Sequence, residues 1–334
     1  MKPHGWVLMA LLAGGLAVGG WYALASMRAQ SPRSARHGAP AGPGGAPART
    51  MAKLEPPGDA AASGSQPQAL PRATWTARFN QSGDYRAFID AALPYALRGD
   101  GRAAYYIGEA VARCAWAVKQ FRGAPDPEAQ LNQELDAMAK APQWARDAVA
   151  ARARRCMGLA QDDPFAQLPQ RDGGYGATYW YDTALAADDA LAQVRVVTVA
   201  LADTEGLKNA ERTARLAAIQ SNLHAALSSG DPEALYKVGM LAADGRYSQD
   251  PLGGVAIALA ACELGRDCSA ESSDNAFAAC NVSGACPPHA TLFDVMQRSL
   301  GAAKYAEIYA RAQQIKASML ANDWPSVESA LRLQ

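Results

Sequence analysis

A chain of 334 residues has room for one large domain or two small ones. Lys plus Arg and Asp plus Glu total 32 each, a balance that argues against a nucleic-acid partner held on a basic surface. Hydrophobic residues make up 49%, much of it alanine, a strong helix former with little apolar area, which points to closely packed helices and away from a bulky β core.

The chain opens with twenty uncharged residues, Trp6 to Ala25, preceded by Lys2 and followed by Arg28, Arg33 and Arg36. As a helix, residues 6–25 would extend about 30 Å, one hydrocarbon core, with Trp6 and Trp21-Tyr22 at the two interfaces. Ala23-Leu24-Ala25 before Ser26 also fits a signal-peptidase site, so 1–26 reads as a signal anchor or a cleaved signal peptide. Length favours the anchor, while the trailing arginines run against the positive-inside bias. Either reading sends the chain to the periplasmic side of the inner membrane or beyond it. Residues 27–74 are rich in Ala, Pro, Gly, Ser and Arg. They lack the large side chains that offset ordering entropy, and are expected to form a disordered tether ahead of a folded domain at 75–334.

From Trp75 onward the punctuation is helical. Pro127, Pro142, Pro232 and Pro251 suit first-turn positions, and Asp126, Asp231 and Asp250 stand before three of them as N-caps. Apolar residues recur at three and four, as in Leu131, Leu135, Met138 and Leu216, Leu223, Leu227, then Tyr305, Ile308, Ala312, Ile315, Met319. The run Val194–Val199 is strand-like, yet its alanine-rich flanks and lack of a pairing partner make it the middle of a buried helix. The expected fold is all-α, an irregular solenoid-like array of helix hairpins braced by disulfides.

One repeat is visible directly. Gly99-Asp100, Ala103, Tyr105, Gly108 and Ala112 recur as Gly230-Asp231, Ala234, Tyr236, Gly239 and Ala243 at a constant offset of 131. Each copy follows an amphipathic helix, at 85–97 and 210–228. Gly108 and Gly239 sit inside helices, where glycine costs about 1 kcal/mol against alanine, so close helix approach is the expected reason for them. The second copy continues through Gly245, Asp250, Ala258, Ala260-Ala261 and Gly265. Residues 231–265 thereby resemble a Sel-one-like repeat, a relative of the tetratricopeptide helix hairpin, with a weaker echo at 99–115. Gly254 and Cys262 depart from that pattern, and no regular 34–40-residue period follows. The resemblance implies a helix hairpin and a surface for binding other proteins.

Six cysteines lie at 114, 156, 262, 268, 280 and 286. In an exported chain they read as disulfides. Cys114 is expected to pair with Cys156 across a short helix, contributing about 3–4 kcal/mol in the chain-entropy model. Cys262, Cys268, Cys280 and Cys286 are expected to pair among themselves, pinning the irregular stretch 265–288. Their five-residue spacers are wider than those of structural zinc sites.

No catalytic motif, metal-binding helix pattern or phosphate-binding loop is present, so no cofactor or metal is expected. Past residue 37 the histidines are His224, read as a core-edge residue beside Leu223 and Leu227, and His289, read as a surface residue. Asp162-Asp163 and Asp188-Asp189 are candidate carboxylate pairs, although adjacent acids usually cap helices or face water. Glu109 and Glu233 read as ordinary helix-surface acids. The interval 164–181 carries Phe165, Tyr175, Tyr179, Trp180 and Tyr181 among glycines. These rings form either a stacking surface for a glycan or peptide, or a plug between the two halves of the array. The sequence thus points to an envelope-located helical interaction protein with a protein partner. The rival readings are a cell-wall-directed hydrolase and a secreted factor with an unrecognised carboxylate site.

Overall fold

A computed structural model describes residues 71–141, 143–162, 165, 176–204, 207–269 and 290–331. These residues form helices and no strand. In chain order they are α1 (Arg72–Gln81), α2 (Tyr85–Ala96), α3 (Gly101–Phe121), α4 (Pro127–Ala137), α5 (Gln143–Gln161) and α6 (Ala177–Ala186). There follow α7 (Ala190–Ala202), α8 (Asn209–Ser228), α9 (Pro232–Ala243), α10 (Pro251–Glu263), α11 (Leu292–Leu300), α12 (Ala302–Leu320) and α13 (Trp324–Ser329). No helix among them is long and apolar enough to cross a membrane; residues 6–25 and the linker to residue 70 lie outside the described residues. Helix α1 opens at Arg72 and buries Trp75 and Phe79, so the folded part takes in the last residues of the stretch read as linker.

Aspartate starts most of these helices. Asp84, Asp100, Asp126, Asp189, Asp231, Asp250 and Asp323 each accept a hydrogen bond from a first-turn backbone N–H, satisfying donors that the helix itself leaves open. Pro127, Pro232 and Pro251 occupy the first turns of α4, α9 and α10, where a missing N–H costs nothing. Pro142 lies outside the described residues. The Val194–Val199 run falls within α7, with Val194 and Val197 buried.

Three hairpins organise the domain. Helix α3 packs on α6, α7 on α8, and α9 on α10, while the first members α3, α7 and α9 touch in a row. The first hairpin is interrupted by α4 and α5; α5 folds back onto α2 and α3 and is tied to α3 by a disulfide between Cys114 and Cys156, Cα atoms 5.3 Å apart. A second disulfide joins Cys262 at the end of α10 to Cys268. Cys280 and Cys286 lie outside the described residues. Helix α12 covers α10, and α13 rests on α12 and α8.

The repeated turns share their backbone. Gly99 and Gly230 both have positive φ, +94° and +64°, and each is followed by the capping aspartate of the next helix. A third turn of the same kind joins α6 to α7. There Asp188 takes φ of +54° and Asp189 caps α7. Asp188-Asp189 is therefore the missing copy of the Gly-Asp signal, 42 residues before Asp231 by numbering, with an aspartate in the left-handed position that glycine fills elsewhere.

Candidate functional site

Counted from their capping aspartates, the three first helices carry Tyr106, Arg195 and Lys237 at one register position, six residues after Asp100, Asp189 and Asp231. Because α3, α7 and α9 lie side by side, this register gathers charge from residues up to 128 positions apart in sequence, Glu109 to Lys237. Glu109 stands at the centre. Its Oε1 accepts a hydrogen bond from the Tyr181 hydroxyl at 2.9 Å, and Arg113 lies 3.5 Å from its Oε2. The Arg195 guanidinium lies over the Tyr181 ring, 3.6 Å from its centre, close enough for a cation–π contact.

Burial alone would raise the pKa of Glu109, yet Lys237, Arg113, Arg195 and the Tyr181 hydroxyl together hold it down at about 2. The carboxylate is thus charged at every physiological pH and cannot donate a proton. Around it Tyr105 and Tyr181 are pushed upward, first by burial and then by the Glu109 charge, so both stay protonated. On the outer side Asp182, exposed on α6, feels Arg195 through space while burial raises its own pKa. Arg113, Arg195 and Lys237 thus act on Glu109, and Arg195 acts on Asp182 as well. Among the described residues Arg195 and Lys237 make no hydrogen bond and no ion pair, although both are half-buried. What the cluster offers on its outer side is the N–H donors of Arg195 and Lys237.

Glu109 and Glu233 correct the expectation of surface acids. The Glu109 side chain is only 16% exposed, and Glu233 is buried against Arg266, 3.1 Å from its Nε. Arg266 also lies over the Tyr236 ring, 3.3 Å from its centre, and its Nη1 sits 3.3 Å from Cys268 Sγ. A further buried knot surrounds Arg102, whose Nε donates to Asp189 at 2.7 Å and whose Nη2 bonds Asp231. All three side chains are at most 5% exposed. Burial would lower the Arg102 pKa, but the two aspartates raise it above the ordinary arginine value.

The other residues singled out in the sequence fall elsewhere. Trp180 is fully buried, Tyr181 and Phe165 nearly so, and Tyr179 is half-buried; the Phe165 and Trp180 rings lie 5.5 Å apart. In this arrangement Trp180 and Tyr181 are packing elements of α6, and Tyr181 reaches the charged cluster through its hydroxyl. Tyr175 lies outside the described residues, as do Asp163 and His289. Asp162 is exposed and pairs with Arg86 at 2.7 Å. Asp188 shapes a turn, and Asp189 caps α7 and binds Arg102. His224 is 56% exposed and meets Glu328 at 2.8 Å, so it lies outside the core that Leu223 and Leu227 enter. No group of three or more His, Cys, Asp or Glu among the described residues is arranged to hold a metal, and Cys262 and Cys268 are bonded to each other.

The cluster had one sequence signal, Asp189-x5-Arg195 and Asp231-x5-Lys237, hidden because the first of these turns lacks glycine. No protein-family model matches the chain, and no curated protein or solved structure is significantly similar to it.

Proposed function

We propose that this chain is an exported interaction protein of the cell envelope, tethered or released, which captures a protein partner on the face shared by α3, α7 and α9. The reading keeps the resemblance of 231–265 to a Sel-one-like hairpin, which implies a binding surface. One observation carries it: Arg195 and Lys237 recur at the same place on neighbouring helices, half-buried and without a polar partner among the described residues. Their charged nitrogens reach solvent and are not committed to an acceptor within the described residues, so an acidic group of a partner can take them without breaking a bond of the fold. Two disulfides support the oxidising location, because cytosolic thiol pools keep most cysteines reduced.

Thr198 is exposed, one turn beyond Arg195 on α7. A photo-cross-linking side chain placed there in the full chain, in intact cells, is expected to give a discrete protein adduct, while the same probe at exposed Glu307 on α12 gives none. Absence of any adduct at Thr198 overturns the interaction reading.

A further inference from the structure

The two disulfides of the described residues sit in different surroundings. Cys114 and Cys156 are both 0% exposed, sealed between α3 and α5. At the end of α10 the second bridge reaches solvent on one side, since Cys262 is partly exposed while Cys268 is buried. Its two sulfurs also differ electrically. Cys268 Sγ accepts from Arg266 Nη1 at 3.3 Å. That guanidinium is held by two further bonds, from Nε to Glu233 at 3.1 Å and from Nη1 to the Asp267 carbonyl at 3.0 Å. Cys262 Sγ instead stands 3.5 Å from the Ala258 carbonyl oxygen, in the last turn of a helix, where carbonyl dipoles oppose negative charge. Glu263, the next residue, is engaged by Tyr309 and Lys316.

A thiolate cleaves a disulfide by attacking one sulfur while the other leaves with the electron pair, and a stabilised leaving thiolate speeds the step. Access and charge assign the same roles here: the sulfur that solvent reaches is Cys262, and the sulfur beside a cation is Cys268. We propose that the Cys262–Cys268 bridge is a thiol–disulfide exchange site for a dithiol reductant, with Cys262 Sγ the attacked sulfur and Cys268 Sγ the leaving thiolate held by Arg266. The first thiolate of the dithiol bonds to Cys262 Sγ, the Cys262–Cys268 bond breaks, and its electron pair stays on Cys268. The second thiol, deprotonated, then bonds to the first and releases Cys262. The dithiol ends as its own disulfide, having given two electrons to the bridge, one proton to Cys262 and one to solvent. A charge-assisted bond from Arg266 replaces the weaker one that the bridged sulfur accepts. Exchange at this bridge needs no partner on the face shared by α3, α7 and α9, so it stands or falls apart from the interaction reading.

The test treats the native full chain with reduced glutathione, a monothiol that stops at the first step, or with dithiothreitol, a dithiol that completes both. N-ethylmaleimide caps the freed thiols, and peptide mass spectrometry locates each group. Glutathione is expected on Cys262 with the maleimide on Cys268. Dithiothreitol is expected to open this bridge about tenfold or more faster than Cys114–Cys156, because access and leaving-group stability both favour it. Arg266→Gln combined with Glu233→Gln removes both members of the buried pair and strands neither charge. That variant is expected to open about three- to tenfold more slowly than the parent chain. Helical circular dichroism and the thermal midpoint confirm its fold; should it unfold, the position of glutathione on the parent chain decides. Glutathione on Cys268, no adduct at this bridge, or equal opening rates for the two disulfides overturns the exchange site. A folded double variant that opens at the parent rate overturns the role of Arg266.

Discussion

Two seams in this domain start from the same local signal and close by different means. At the first, α3 meets α6 where Gly108 lies beneath the Tyr181 ring; a β-carbon on Gly108 would stand 2.9 Å from two ring carbons and 3.2 Å from the Ala177 carbonyl oxygen. At the second, α9 meets α10 backbone to backbone. A β-carbon on Gly239 would fall 2.6 Å from the Ala258 nitrogen, and one on Gly254 would fall 2.5 Å from the Ala242 carbonyl carbon and 2.6 Å from the Gly239 oxygen. The region around the first seam is filled by rings, with Phe79, Tyr85, Phe88, Tyr105, Tyr106 and Trp180 buried. The second region buries Ala242, Ala243, Ala256, Ala258, Ala260 and Ala261. Side chains that give little area apiece are compensated by helix axes drawn as close as backbone allows, and this works only while both glycines remain. A ring can tilt; two backbones in contact cannot.

The strongest test of that contrast is alanine at the two kinds of glycine. Gly254→Ala is expected to cost about 3 kcal/mol or more, at the upper end of overpacking, because the new methyl meets main-chain atoms on α9. Gly108→Ala should cost about 2 kcal/mol, since Tyr181 can shift. Urea denaturation of both variants measures the difference, and equal losses would show that the two seams are mechanically alike. Of similar size, Cys114→Ala with Cys156→Ala is expected to remove about 3–4 kcal/mol, since the bridge closes a separation of 42 residues. The loss should appear in thermal unfolding, with amide exchange accelerated in α3 and α5 but not at the α9–α10 seam.

The last effect is electrostatic, and its pH dependence is confined to acid. Glu109 has a folded pKa of about 2 against an ordinary 4.5, so its contribution is fully present above about pH 4.5 and is lost as pH falls toward 2. Glu109→Gln is therefore expected to lower stability at pH 7 and to flatten the loss between pH 4.5 and pH 2. Identical acid profiles for the variant and the parent chain would remove Glu109 from the account.

Much of the helical frame could be read beforehand because its signals are local. Asp126, Asp231 and Asp250 cap through groups two or three residues away, and proline marks the same first turns. The in-helix glycines could also be read, and Gly254, a departure from the repeat pattern, now has a reason in the space it vacates for α9. The charged face escaped for the opposite cause. Glu109 owes its burial and its charge to Lys237, Arg195 and Tyr181, at least 72 positions away, and Glu233 owes its own to Arg266. No window along the chain contains those partners. The α6–α7 turn escaped for a subtler reason: an aspartate adopts the conformation for which glycine is the usual marker, so a repeat unit passed as a pair of acids.

Arrays built from stacked hairpins ordinarily fray from an end, because each unit is stabilised only by its neighbours. Arg102 opposes that behaviour here. It enters from α3 yet clasps the aspartates that start α7 and α9, with Nη1 left without an acceptor among the described residues. Opening the first hairpin would strand two buried carboxylates in one event and loosen the N-termini of two further helices. The three units should accordingly melt together, as a latch melts, and a partner bound across α3, α7 and α9 would meet a platform whose members rise and fall as one.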